Sequence, residues 1–455
     1  MVFSVARKSS GFVTPAEPTP TEILPLSAID RIEGLRYFVR SVHVFKSGVR
    51  AAETIKQAMS KALVTYYPLA GRFINDPNDG EVKLACGGEG VLFVEAAANY
   101  SLEDVKFLDH PLMIPQDDIF PELSQDIIEA VDIPIMMQGG FAIGLFVVHT
   151  IGDGLGFAQF LHAIGETARG LPKPSLNPIW ARDLLPKPPK LQQSGPPPVI
   201  HNLRHAIGEM ARGLPKLSLN PIWARDLLPK PPKLQQSGPP PVIHNLKLES
   251  TTIDFSADSI QKLKTDFFHS TGKHCSAFDA SVAMIWQSRA RSIGFEPDEL
   301  VHICFFANIR QLLTNILPQE GGYYGNCFYP VTVTSTTGRV AESNLVDVMK
   351  IIRDAKSGLP KEFAKWVIGD YKDDPFQLSF TYNSLFVSDW TRLGFREVDY
   401  GWGKPVNVIP FAYDDFMAMA VIGTLPVPKQ GARIMTQCVE KEHFEKFQHE
   451  MGKFI

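Results

Sequence analysis

Residues 141–155 read FAIGLFVVHTIGDGL. Phe141–Val148 is an unbroken apolar run of strand length, the pattern of a strand covered on both faces. His149 ends the run. Thr150–Gly154 breaks the pattern with two glycines around Asp153. From there Leu155, Ala158, Leu161, Ile164 and Ala168 recur at helical spacing and make one apolar stripe. Strand, polar turn and helix form an α/β unit. That unit holds an imidazole on a turn between two rigid elements, where functional side chains concentrate. Two readings of His149 stay open on spacing alone. It is a general base, because imidazole titrates near neutral pH. Or it is a hydrogen-bonded core histidine, with Asp153 as N-cap of the following helix, which is the commoner outcome for such a spacing.

Composition narrows the classes outside that stretch. The 455 residues carry 45 Lys+Arg against 49 Asp+Glu, a net charge of −4, with 44% hydrophobic residues. A near-neutral chain lacks the basic face that nucleic acid requires, and its apolar content is too high for wholesale disorder. The apolar runs are strand-sized, short of the roughly 20 residues of a membrane helix. The first residues, MVFSVARKSS, have no apolar leader core. Cys86, Cys275, Cys304, Cys327 and Cys438 are dispersed, odd in number and without a C-x-x-C pair, so they read as reduced thiols filling a core. A cytoplasmic protein is the expectation.

Further from the opening stretch, Arg50–Tyr67 has Ile55, Met59 and Leu63 at helical spacing and ends at Pro68. Glu89–Ala96 reads as a strand. Ser256–Ser270 and Cys275–Ser292 read as helices, the second opening on Ser276-x-x-Asp279, a capping-box variant. Val301–Ala307, Leu378–Ser388 and Met417–Ile422 read as further strands. Irregular alternation of the two types points to α/β with mixed sheets.

Between these groups lies a repeat. Residues 162–203 and 205–246 differ only at Thr167/Met210 and Pro174/Leu217 and together hold 17 of the 36 prolines. Two proline-rich copies cannot stack into a solenoid, which needs about three; they read as a duplicated interdomain linker or an error in the gene prediction. The chain divides into an N-terminal domain at 1–161, the linker at 162–246 and a C-terminal domain at 247–455.

Other motifs carry little chemistry. Ser259-x-x-Lys262 stands on an amphipathic helix without the companion motifs of its class. No nucleophile elbow, Walker loop, dinucleotide fingerprint or H-E-x-x-H is present. Glu442, His443 and Glu445 do not share one helix face and read as solvated, so no metal is inferred. Asp399-Tyr400-Gly401-Trp402-Gly403 reads as a tight turn around an aromatic anchor.

His149-Thr150-Ile151-Gly152-Asp153-Gly154 fits H-x-x-x-D-G, and Asp399–Gly403 fits D-F-G-W-G with Tyr400 for Phe. In that order and separation, the two motifs resemble those of the plant BAHD acyl-CoA-dependent acyltransferases. Pro25–Asp30 (PLSAID) and Tyr67–Arg72 (YPLAGR) resemble the family's N-terminal signatures. CFFANIR, YYGNCFYP and SLFVSDWTRLGF resemble its benzyl-alcohol benzoyltransferase-like clade and, within it, grass hydroxycinnamoyl-CoA monolignol transferases. The match covers nearly the whole chain apart from the repeat.

The resemblance implies two similar domains of the chloramphenicol-acetyltransferase type, with an active-site channel between them. It implies an O-acyltransferase that moves an aromatic acyl group, hydroxycinnamoyl or benzoyl, from acyl-CoA to a small alcohol. CoA is then a co-substrate, no cofactor is permanently bound, and the protein is a monomer. His149 becomes the general base and Trp390, through its indole N–H, the oxyanion donor. Asp153 becomes a brace for the histidine loop paired with Arg310, while Gly154 and Asp399, Tyr400, Gly401, Trp402 and Gly403 are structural. CoA-contact residues are not assigned. An impaired, binding-only member and an N-acyltransferase are the competing readings.

Two stretches depart from the family pattern. The extra copy adds 43 residues, and the stretch between the two copies' fitted ends is expected to loop out. Ile133–Val148 is short, with Gln138-Gly139-Gly140 joining its two strands almost directly. The strand that ends at His149 is therefore at risk of losing its neighbour or its register.

Overall fold

The computed structural model describes residues 3–32, 35, 38–76, 81–115, 119, 133–138, 141–187, 246–318, 320–411 and 417–455. The large sheets use β1 (Val5–Val13), β2 (Phe38–Phe45), β3 (Val91–Ala98), β4 (Ile133–Gln138), β5 (Phe141–Val148) and β6 (Leu248–Ser256). They continue with β7 (Leu300–Asn308), β8 (Phe328–Thr336), β9 (Ser384–Asp389), β10 (Asn407–Phe411), β11 (Ala418–Thr424) and β12 (Gly431–Glu440). The first sheet runs β1-β3-β4-β5-β2-β10 and the second β6-β12-β11-β9-β7-β8. Each mixes parallel and antiparallel pairs. The architecture is α/β with two mixed sheets.

In the first half, α1 (Ala51–Thr65) buries Ile55, Met59 and Leu63. Pro68 then opens a single 3-10 turn instead of a further α-helical turn. Helix α2 (Gly154–Ala168) turns Phe157, Ala158, Leu161 and Ile164 inward, where they share one core with α1 and the sheet. Leu155 and Ala168 sit at the margin, only half-buried.

Strand β5 keeps both neighbours. It pairs antiparallel with β4, Ile133 opposite Phe146, and with β2, Phe38 opposite Val148. The short hairpin therefore leaves the strand leading to His149 fixed in register on two sides.

In the second half, α3 (Ala257–Thr271) and α4 (Ala277–Ile293) lie on the second sheet. Ser276 and Asp279 form a reciprocal capping box at the start of α4. Nearly all of α4 is buried, since it packs on the sheet and against α5 (Leu345–Ile368) and α6 (Lys441–Gly452). Strand β9 is shorter than the expected Leu378–Ser388. Asn383, just before it, donates its side-chain amide to the Leu300 carbonyl at 2.8 Å. Leu378 and Phe380 pack instead against the cluster that holds Cys304, Phe386, Met417, Met419, Val421 and Met435. All five cysteines are buried and free, and among the described residues no helix is long and apolar enough to cross a membrane.

The 161/162 boundary falls inside α2, and β10, from the C-terminal half, is an edge strand of the first sheet. The described part of the first repeat copy is not free spacer. Pro178–Ile179 pairs with Gly322–Tyr323, the Trp180 ring lies 4.7 Å from that of Tyr324, and Leu185 is buried. The stretch expected to loop out lies outside the described residues.

The Asp399–Gly403 turn docks on the far end of α2. Asp399 Oδ1 accepts from the Gly401 and Gly403 N–H groups at 2.7 and 3.0 Å. Both glycines have positive φ, 103° and 91°, which L side chains rarely adopt. Tyr400 is buried against Phe45, and Arg169 donates to the Asp399 carbonyl. Contact is this close because residue 165 is glycine: a Cβ there meets the Asp399 carbonyl oxygen at 2.5 Å. Gly165→Ala is expected to cost about 1–3 kcal/mol by overpacking against backbone that cannot yield. Thermal unfolding checks this, and an unchanged midpoint would show that the turn is free to shift.

Candidate active site

Strand β5 ends at Val148, and His149–Ile151 makes one 3-10 turn before Asp153 caps α2. Thr150 and Ile151 are buried, and the Thr150 hydroxyl donates to the Leu35 carbonyl at 3.2 Å. His149 is half-buried. Its ring stands edge-on to Phe328 of β8, centroids 6.0 Å apart, so it lies on the seam between the two halves. Burial holds its basicity below the usual imidazole value of 6.5. Its own backbone, the Asp153 charge, Asn326 and Asp30 oppose this without overcoming it. The imidazole is therefore mainly neutral at pH 7.

Asp153 reaches across the seam to Arg310. Arg310 Nη1 donates to its Oδ2 at 2.7 Å and Arg310 Nη2 to its Oδ1 at 2.8 Å, a two-pronged pair. Oδ1 also accepts from Gly156 N–H at 3.0 Å, the N-cap bond of α2, and Oδ2 from Cys327 N–H at 3.1 Å. Burial pushes this carboxyl up, but the Arg310 charge and the four hydrogen bonds outweigh it and hold it below 3.8. Asp153 thus caps α2 and pairs with Arg310 at the same time.

Trp390 follows β9. Its indole N–H donates to Ser388 Oγ at 3.2 Å. The turn it opens carries Leu393, which lies over Gly154 where a Cβ would meet its Cδ1 at 2.5 Å. Asp399, Tyr400, Gly401, Trp402 and Gly403 are remote from this point. Their docking site at Gly165 is about 18 Å along α2 from the cap, at 1.5 Å per residue.

Near His149 the aromatic character continues outward. Phe328 meets Phe306 at 5.2 Å and Phe376 at 6.3 Å, and Phe306 is 40% exposed. His443 and Glu442 do approach, Nε2 to Oε1 at 3.1 Å, contrary to the expectation that neighbours on a helix point apart. Among the described residues no group of three or more His, Cys, Asp or Glu is placed to hold a metal.

Three buried residues escaped the reading of the sequence. Asp30 and Asn326 were visible only as parts of family signatures, and Arg182 was hidden in proline-rich chain. The available signal was an arginine flanked by Trp180 and Leu185, apolar company that free linker has no reason to keep.

TRI101 of F. sporotrichioides, solved with coenzyme A and T-2, shares the fold with a TM-score of 0.63 at 14% identity, covering 95% of this chain and 98% of that one. The Transferase family matches residues 3–454. Acyl transferase 4 of Oryza sativa subsp. japonica is 45% identical over 482 residues, covering 100% of both chains. Myricetin 3-O-glucosyl 1,2-rhamnoside 6'-O-caffeoyltransferase AT2 of Crocosmia x crocosmiiflora is 37% identical over 466 residues, again covering 100% of both. The chain belongs to the plant BAHD acyltransferase family and is an enzyme that transfers acyl groups.

Proposed function

We propose that this enzyme transfers an aromatic acyl group, hydroxycinnamoyl or benzoyl, from CoA to the hydroxyl of a small alcohol, with His149 as general base. The observation that carries the reading is a half-buried imidazole at the seam of the two halves, edge-on to Phe328, with its basicity lowered by burial. The substrates meet there in an interdomain channel. His149 takes the hydroxyl proton as the oxygen attacks the thioester carbonyl. The tetrahedral intermediate collapses to the ester, and the imidazolium returns its proton to the departing CoA thiolate. No acyl-enzyme forms, which agrees with the lack of a nucleophile motif. Trp390 meets the oxyanion by turning its N–H from Ser388 Oγ to the developing charge.

Phe306, Phe328 and Phe376 support an aromatic acyl group, since aromatic faces and edges favour one another. The caffeoyl transfer named for the Crocosmia relative is a hydroxycinnamoyl transfer to oxygen and supports the same class.

A panel of CoA thioesters (p-coumaroyl, caffeoyl, benzoyl, acetyl) against alcohols and amines, read by thiol release, tests the reading. Aromatic thioesters with alcohols should give the highest kcat/KM. A preference for acetyl-CoA or for amines would overturn the donor or acceptor, and no turnover by folded protein would mark an impaired member.

The depressed His149 basicity also sets a pH limb. The base must be neutral, so activity stays full above 6.5 and falls only as pH drops through the lowered value, by about tenfold per unit. Profiles of kcat/KM across about pH 5 to 8 check this. An acid limb centred above 6.5 would contradict it.

A further inference from the structure

We infer that Asp30, Arg182 and Asn326 form a second brace on the catalytic loop, acting as positioning residues that fix the backbone carrying His149. The inference rests on the reading of His149 as base and extends it to residues from three distant parts of the chain.

The geometry is specific. Asn326 Nδ2 reaches the His149 carbonyl at 2.7 Å, the Thr150 carbonyl at 3.2 Å and Asp30 Oδ1 at 2.9 Å. Arg182 Nη2 donates to the Ile151 carbonyl at 2.7 Å and Arg182 Nε to Asp30 Oδ2 at 2.8 Å. All three consecutive carbonyls from the histidine onward are thereby occupied. Asp30 joins the two braces, and its Oδ2 also accepts from Ser27 N–H at 3.0 Å while its own N–H donates to Ser27 Oγ at 3.1 Å. The Arg182 guanidinium lies over the Trp180 ring at 4.8 Å, which covers its apolar face.

Burial makes this arrangement discriminating. Asp30 and Asn326 are 0% exposed and Arg182 is 2% exposed. A group this deep cannot exchange a lost partner for solvent, so each bond lost from the network is costly. It differs from the Asp153–Arg310 pair in where it acts. That pair holds the cap of α2, whereas this one holds the 3-10 turn itself, from His149 to Ile151. The crossover thus supplies a residue to the active-site loop as well as joining the halves.

The sequence NPIWARDLL stands at both 177–185 and 220–228. A test must therefore change Arg225 together with Arg182, so that a second arginine in the same context does not remain. Arg182→Lys with Arg225→Lys keeps the charge but removes the fork that serves Asp30 and Ile151 at once. Asn326→Ala removes the amide from the His149 and Thr150 carbonyls and leaves the ion pair.

Both are compared with wild type and His149→Ala by kcat and KM for the best donor and acceptor pair of the panel, by equilibrium binding of coenzyme A, and by thermal unfolding. Coenzyme A should bind within about threefold of wild type, KM should change little, and kcat should fall about 10- to 100-fold, as for a base displaced by a fraction of an ångström. A purely structural role would lower the unfolding midpoint but leave kcat per coenzyme A-binding site within twofold, and that result overturns the inference. So does failure of both variants to fold, which would place the network in folding. Wild-type turnover by His149→Ala would refute the base reading instead, so the two failures are separate.

Discussion

Replacing His149 by alanine is expected to lower kcat by about 10²–10⁴-fold, the range that a positioned general base supplies. KM for the acyl-CoA should stay close to wild type, because in the proposed mechanism the imidazole meets the reacting oxygen and not the bulk of the donor. The fold should survive. The carbonyls of residues 149, 150 and 151 are held by Asn326 and Arg182 through backbone oxygen, which alanine also has. Only the ring beside Phe328 is lost, and it is half-buried. The variant therefore separates chemistry from stability. Added imidazole should restore part of the rate, since the space left beside Phe328 is the shape of the missing ring. Steady-state kinetics with and without imidazole check both expectations. A kcat within tenfold of wild type would remove the base from the mechanism, and rescue would then have nothing to restore.

The opening stretch was readable because its signals are local. An apolar run, a polar turn with a cap residue and a 3.6-residue stripe need only neighbours in sequence, and β5, Asp153 and α2 follow from them. The same holds for α1, whose inward residues are Ile55, Met59 and Leu63, and for the Ser276 box.

What stayed illegible depends on distant chain. Helix α5 carries Pro360 in its interior. A proline normally argues against a helix, and here the buried contacts of Val348, Met349, Ile352, Phe363 and Trp366 outweigh it. Arg182 lay in chain whose proline content argued for solvent, yet a carboxylate from residue 30 draws it inside. Strand β10 belongs to the first sheet only because β2 has a free edge to receive it, which no window of its own sequence reveals. Residues that bring the halves together are the ones local pattern cannot show, and the candidate site is built from them.

The pair that spans the seam gives the second large effect. Arg310→Met is expected to destabilise the protein by about 3–5 kcal/mol at pH 7, because it leaves the Asp153 carboxylate enclosed with no counter-charge. Asp153→Asn combined with Arg310→Met should recover part of that loss. The amide can still cap Gly156 and carries no charge to desolvate, so the double variant should be more stable than Arg310→Met alone.

pH supplies an independent check, with opposite signs in the two proteins. In wild type the Asp153 carboxyl is held below 3.8, so its contribution is complete above that value and is lost only as pH falls through the lowered one. Without Arg310, burial, the largest single influence on this group, drives its proton affinity up. A folded state that binds a proton more tightly than the unfolded chain gains stability as pH falls. The gap between Arg310→Met and wild type should therefore narrow from pH 7 toward about pH 5, while the gap for the double variant stays flat. Urea unfolding at several pH values measures all three. A loss under about 1 kcal/mol, the scale of an exposed pair, or a gap that does not move with pH, would mean that solvent reaches Asp153 and that the seam is not dry where the histidine loop is anchored.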